Sequence, residues 1–91
     1  MVPDKKEVEM LFNALVSLSD VKECEEFIYD LCTSVEIEEM SRRLKAAQML
    51  SCGSPYTDVV SATGLSTTTI SIVSRSPKSG NGYRSILSKL G

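Results

Sequence analysis

Apolar residues recur along the first half of the chain at three- and four-residue spacing, the signature of helices with one apolar side. Val8, Leu11, Phe12, Leu15 and Leu18 form one such stripe. Val21, Cys24, Phe27, Ile28 and Leu31 form a second, and Ile37, Met40, Leu44, Ala47 and Leu50 a third. The breaks between the stripes carry capping chemistry. Pro3 or Asp4 opens the first helix, Ser19-Asp20 ends it, and Asp20 with Glu23 resembles a capping box with an acid in place of the usual hydroxyl. The second helix is expected to end near Thr33. Ser34 is the expected cap of the third, and Glu36, Glu38 and Glu39 lie in its opening turns, where the helix dipole favours acids. That helix is expected to reach Ser51 or Cys52 and to close at Gly53. No stretch alternates apolar and polar residues as a half-buried strand does, so the fold class is all-α.

The second half has a different rhythm. Residues 56–75, YTDVVSATGLSTTTISIVSR, read as two short helices joined by a tight turn, the layout of a helix-turn-helix. Thr57 is the expected cap of the first, with Asp58 in its first turn and Val59, Val60 and Ala62 on its apolar side. Gly64 supplies the left-handed residue after the helix end, and Leu65 plugs the corner. Ser66 caps the second helix, whose Ile70 and Val73 face inward while Ser66, Thr67, Thr68, Ser71 and Arg75 face out. Hydroxyls and an arginine on an outward face suit a DNA groove, where Ser and Thr bond bases or phosphates. Ser76-Pro77 is expected to stop this helix, because the residue before a proline is pushed out of helical geometry. SPKSGNG then reads as a flexible basic loop, before a last amphipathic helix carrying Tyr83, Ile86, Leu87 and Leu90.

Charge sharpens the division. The 91 residues carry a formal net charge of only −2, which by itself does not favour nucleic acid. Residues 1–39, however, hold 3 Lys/Arg against 11 Asp/Glu, and residues 40–91 hold 7 Lys/Arg against Asp58 alone. An acidic half followed by a basic half that contains the reading element is the asymmetry of a small DNA-binding protein. The length fits one domain, spanning 1–91. So small a domain has difficulty satisfying the apolar faces of the first, second and last helices, and these read as the body of a dimer. A two-fold pair would set two reading helices about 34 Å apart, one DNA turn.

Other classes are weaker. There is no His, no nucleophile beside an evident base and no phosphate-cradling glycine loop, so an enzyme is not expected. Cys24, Cys32 and Cys52 show no CxxC spacing, and the first two would lie roughly 12 Å apart along one helix, too far to bridge. Buried, reduced thiols in a cytoplasmic protein are expected, without a metal. The charged N-terminus lacks the apolar run of a signal peptide, and no stretch approaches a membrane span.

Four segments carry a more specific likeness: FIYDLCT at 27–33, IEEMSRRLKAAQML at 37–50, TGLSTTTIS at 63–71 and NGYRSIL at 81–87. Together they resemble the Trp repressor superfamily, most of all its YerC/YecD-like branch, over nearly the whole chain. The resemblance implies a six-helix protein that forms an intertwined homodimer and binds operator DNA as a transcriptional regulator, a repressor by kinship. In that family two arginines sandwich the indole of a tryptophan corepressor. Arg43 matches the first, and Ile72 stands where the second belongs and where the branch usually also has arginine. An aliphatic side chain cannot make the cation–π contact of a guanidinium, which argues against tryptophan control. Arg43 and Ile72 remain the effector-pocket candidates for an unidentified small-molecule corepressor, although simple packing is the favoured role for Ile72. No other cofactor is implied.

The working assignments follow. Ser66, Thr67, Thr68 and Ser71 are base-contact candidates, and Arg42, Arg75, Lys78 and Arg84 phosphate candidates. Glu38 and Glu39 lie four residues before Arg42 and Arg43 and can pair with them for a few tenths of a kcal/mol. None of the hydroxyls offers the bidentate grip of Arg on guanine or Asn on adenine, so DNA shape is expected to carry part of the specificity. The expected partners are double-stranded DNA and a second copy of the chain, with no membrane, in the nucleoid region of the cytoplasm. The competing reading is a helical protein-interaction module whose helix-turn-helix is structural only.

Overall fold

The computed structural model describes residues 4–79 and 82–91, and the side chains of all of these except 76–79. Six α-helices follow one another: α1 (Lys5–Val16), α2 (Val21–Leu31), α3 (Ser34–Ser51), α4 (Tyr56–Thr63), α5 (Thr67–Ser79) and α6 (Gly82–Leu90). No strand occurs among the described residues, as the hydrophobic spacing predicts. None of the described helices is long and apolar enough to cross a membrane.

Two compact units divide the chain, Met1–Ile37 and Glu38–Gly91. The first contains α1, α2 and the opening turn of α3. Asp4 caps α1 by accepting from the N–H groups of Lys6 and Glu7 at 2.8 and 3.2 Å, and Asp20 caps α2 by accepting from Glu23 at 2.8 Å. α1 ends at Val16, two residues short of the predicted Leu18, and α2 ends at Leu31 because Cys32 turns extended. The cap of α3 is Thr33, not Ser34. Thr33 Oγ1 accepts from the Glu36 N–H at 3.1 Å while Glu36 Oε1 accepts from the Thr33 N–H at 2.8 Å, a reciprocal capping box that leaves Ser34 as the first helical residue.

The Thr33 backbone N–H, which donates to the Glu36 carboxylate, holds that carboxyl below its ordinary value of 4.5, and the Thr33 hydroxyl contributes second. A lowered folded-state pKa means a contribution to stability that is present above the unfolded value and lost as pH falls through the folded one. A carboxyl titration followed by NMR should therefore place Glu36 beneath 4.5 in the native chain, and Thr33→Ala, which removes the hydroxyl and keeps the N–H, should bring it only part of the way back. A native titration at or above 4.5 would show that the Thr33 N–H does not hold the carboxylate.

No residue of α1 or α2 is buried in the chain. The predicted stripes exist, but Phe12 and Leu31 are exposed, and Val16 and Val21 are more than four-fifths exposed. The expected buried, reduced thiols need a correction too: Cys24 and Cys32 are half-buried and Cys52 is exposed, and all three are free.

The core lies in the second unit, where Ala46 and Ala47 of α3 meet Val59 of α4, the turn residue Leu65, and Ile70 and Val73 of α5. Met49, Leu50, Val60, Tyr83 and Leu87 pack around it. The upper half of the α3 ladder is outside this core, since Met40 and Leu44 are exposed. Ala46, absent from the predicted ladder, is fully buried in this cluster.

Candidate nucleic-acid interface

The helix-turn-helix is assembled by local bonds that the sequence reading anticipates in part. α4 begins at Tyr56 with Pro55 at the cap and no side-chain cap bond, so Thr57 is not the cap. Asp58 and Val59 already donate to the Pro55 carbonyl at 3.1 and 3.2 Å, which places Thr57 inside the helix. α4 turns Val59 and Thr63 to the core, leaving Val60 half-buried and the predicted Ala62 exposed. Gly64 takes the left-handed conformation, φ 71° and ψ 7°, and its N–H closes on the Val60 carbonyl at 2.9 Å. The buried Thr63 hydroxyl donates to the Val59 carbonyl at 2.7 Å and accepts from the Leu65 N–H at 3.2 Å. One side chain thus satisfies two backbone groups that the turn buries. Leu65 fills the corner, as expected.

Ser66 caps α5: its Oγ accepts from the Thr69 N–H at 3.1 Å and donates to Thr69 Oγ1 at 3.0 Å. This base-contact candidate thus has its hydroxyl committed to the helix start. The helix then continues through Pro77 to Ser79, three residues beyond the predicted stop. The effect of a proline on the residue before it is a bias against helical geometry, not a prohibition. The side chain of Lys78 lies outside the described residues, as do residues 80 and 81 of the predicted SPKSGNG loop.

Ile70 and Val73 fix the orientation of α5, for both are buried. At 100° per residue the opposite face carries Thr68, Ile72 and Arg75, spaced four and three apart, with Ser71 at its edge. Thr67, Thr68 and Arg75 are exposed and Ser71 is half-buried. Ile72 is 55% exposed. On α3, Arg42 and Arg43 are exposed, and Arg42 reaches Glu38 at 3.9 Å in a solvated i,i+4 pair of the predicted kind. A pair worth so little leaves that guanidinium available to another anion. Arg84 is also exposed and borders a cleft of about 710 Å³ lined by Ala47, Leu50, Val73, Tyr83 and Leu87. Neither effector-pocket candidate, Arg43 or Ile72, lines that cleft.

The sequence reading passed over Tyr56 and Thr63. Tyr56 stands exposed in the uncapped first turn of α4, and the Ser54-Pro55 pair before it was the available signal. Nothing in the spacing of Thr63 distinguished a turn-bonding threonine from an outward one.

The chain is a helix-turn-helix protein whose second motif helix, α5, presents hydroxyls, one isoleucine and one arginine on its outward face. It belongs to the Trp repressor family, whose model matches residues 6–91. It is 46% identical over 76 residues to a protein of Bacillus subtilis (strain 168) described as the uncharacterised protein YerC, covering 84% of this chain and 73% of that one. A TrpR-like protein from Eubacterium eligens ATCC 27750 superposes with a TM-score of 0.89 at 42% identity, over 97% of this chain and 92% of that one. A Staphylococcus aureus structure, provisionally described as a Trp repressor, superposes with a TM-score of 0.87 at 38% identity, over 96% and 88% respectively. Membership places the chain, at the level of family, among DNA-binding regulators.

Proposed function

We propose that this protein is a sequence-specific transcriptional regulator, a repressor, that binds operator half-sites as a homodimer with α5 in the major groove. The observation that carries the reading is the outward face of α5: with Ile70 and Val73 locked in the core, Thr67 and Thr68 stand exposed at its first turn and Arg75 near its far end. N-terminal residues of a reading helix are the ones that meet base edges. Thr67, Thr68 and Ser71 contact bases, while Arg75, Lys78, Arg84 and Arg42 neutralise phosphates and set register. The exposed apolar faces of α1 and α2 support the homodimer, since a chain that buries none of their residues needs a second surface to cover them. The protein acts in the cytoplasm on the nucleoid. Any small-molecule corepressor that meets Arg43 differs from tryptophan, because Ile72 cannot supply the second guanidinium.

One observation favours the interaction-module reading. α4 carries no Lys or Arg, and its only charged residue is Asp58, so half of the motif offers phosphates no positive charge.

Fluorescence anisotropy with a labelled duplex pool at several salt concentrations separates the two. Regulator function requires affinity that falls steeply with salt. On a duplex selected from that pool, Arg75→Ala should weaken selected and random DNA alike and lower the salt slope by about 1. Thr68→Ala should instead cost about 1 kcal/mol on the selected duplex only. Equal losses on both duplexes would remove Thr68 from the base-contact set, and absence of any salt-dependent binding would favour the interaction module.

A further inference from the structure

We infer that Ile72 is a specificity-determining residue of the reading helix, placed to recognise the 5-methyl group of a thymine. The inference rests on the DNA-binding reading and extends it to a residue whose chemistry differs from every other on that face. Ile72 is 55% exposed, sits between Thr68 and Arg75 on the side of α5 opposite the buried Ile70 and Val73, and projects from the second turn of the helix. Arg75 on the same stripe supplies the positive charge that draws the stripe toward a phosphate backbone. A branched hydrocarbon held at such a surface has few complementary partners in the major groove. Guanine offers N7 and O6, adenine N7 and an amino group, and cytosine an amino group; each would lose its water to an isoleucine and receive no hydrogen bond in return. Thymine alone presents a methyl group there. Ile72 therefore discriminates by two routes, gaining contact with the methyl of a T·A pair and penalising the polar edges of the other bases. The hydroxyls of Thr67, Thr68 and Ser71 tolerate several bases, so this position supplies a stricter preference than its neighbours.

The test uses the full chain and a duplex it has selected from a randomised pool. Each thymine of the selected site is replaced in turn by deoxyuridine, which removes the methyl and leaves base pairing intact, and binding is measured for the wild type and for Ile72→Ala. Burial of one methyl group predicts that the wild type loses about fourfold in affinity per half-site at one thymine position. Ile72→Ala should bind the parent duplex more weakly than the wild type and bind the thymine and deoxyuridine forms of that position equally. Thermal denaturation should show the variant as stable as the wild type, since an exposed side chain is being shortened. Insensitivity of the wild type to every deoxyuridine, or a loss that persists undiminished in Ile72→Ala, would overturn the assignment and leave DNA binding standing. Failure of the wild type to bind any duplex at low salt would remove both.

Discussion

The wild type is expected to sediment as a dimer, and Phe12→Asp to dissociate into monomers across the same concentration range. The residue lies on the apolar stripe of α1 with Val8, Leu11 and Leu15, yet it is 58% exposed in the chain. A phenylalanine left in water forgoes roughly 1.5–3 kcal/mol of burial free energy. In a two-fold dimer each substitution acts twice, and the aspartate adds the penalty of desolvating a charge with no partner. A loss of about 3–6 kcal/mol follows, on the order of a hundredfold to ten-thousandfold in the dimer dissociation constant. Equilibrium sedimentation measures it directly. Melting at several protein concentrations gives an independent check, because a dimer's melting temperature rises with concentration and a monomer's does not. A wild-type chain that remains monomeric, with a melting temperature independent of concentration, would refute the homodimer and require another partner for these faces.

Ile70→Ala should be the most damaging truncation in the second unit, costing about 2–5 kcal/mol. The side chain is fully buried in a cluster whose other buried apolar residues, among the described ones, are Ala46, Ala47, Val59, Leu65 and Val73. Urea denaturation should show the midpoint fall, and specific DNA affinity should fall with it because Ile70 anchors the orientation of α5. Ile72→Ala, two residues on, is the control: it should change stability by no more than about 0.5 kcal/mol. Comparable destabilisation by the two substitutions would mean that α5 is rotated from the orientation described.

Much of the fold was legible because local chemistry wrote it. Helical spacing marked six helices, glycine identity marked the turn at Gly64, and a hydroxyl before a helical run marked the Ser66 cap. Legibility failed where two local devices competed. Thr33 and Ser34 are adjacent hydroxyls, and Glu36 chose between them by pairing with the one three residues earlier. Thr57 lost the cap of α4 to Pro55, whose extended backbone (φ −69°, ψ 155°) already starts the helix. Pro77 was read as a stop although the residue before a proline is only biased away from helical geometry, and α5 runs on to Ser79.

The site divides in the same way. Which residue types the reading helix offers is a property of the sequence, and so is the separation of an acidic half from a basic one. Which of them face outward depended on Ile70 and Val73 being anchored together against α3 and α4. That anchoring exposed Ile72 and withdrew Ser71 by half. An apolar stripe states that a helix has a face to cover without stating what covers it. Sequence by itself therefore determined the helices, their caps in outline and the family. Tertiary packing alone decided that the stripe on α5 is closed by this chain while those on α1 and α2 stay open. Burial is a property of neighbours brought together in space, and periodicity along one helix carries no record of them.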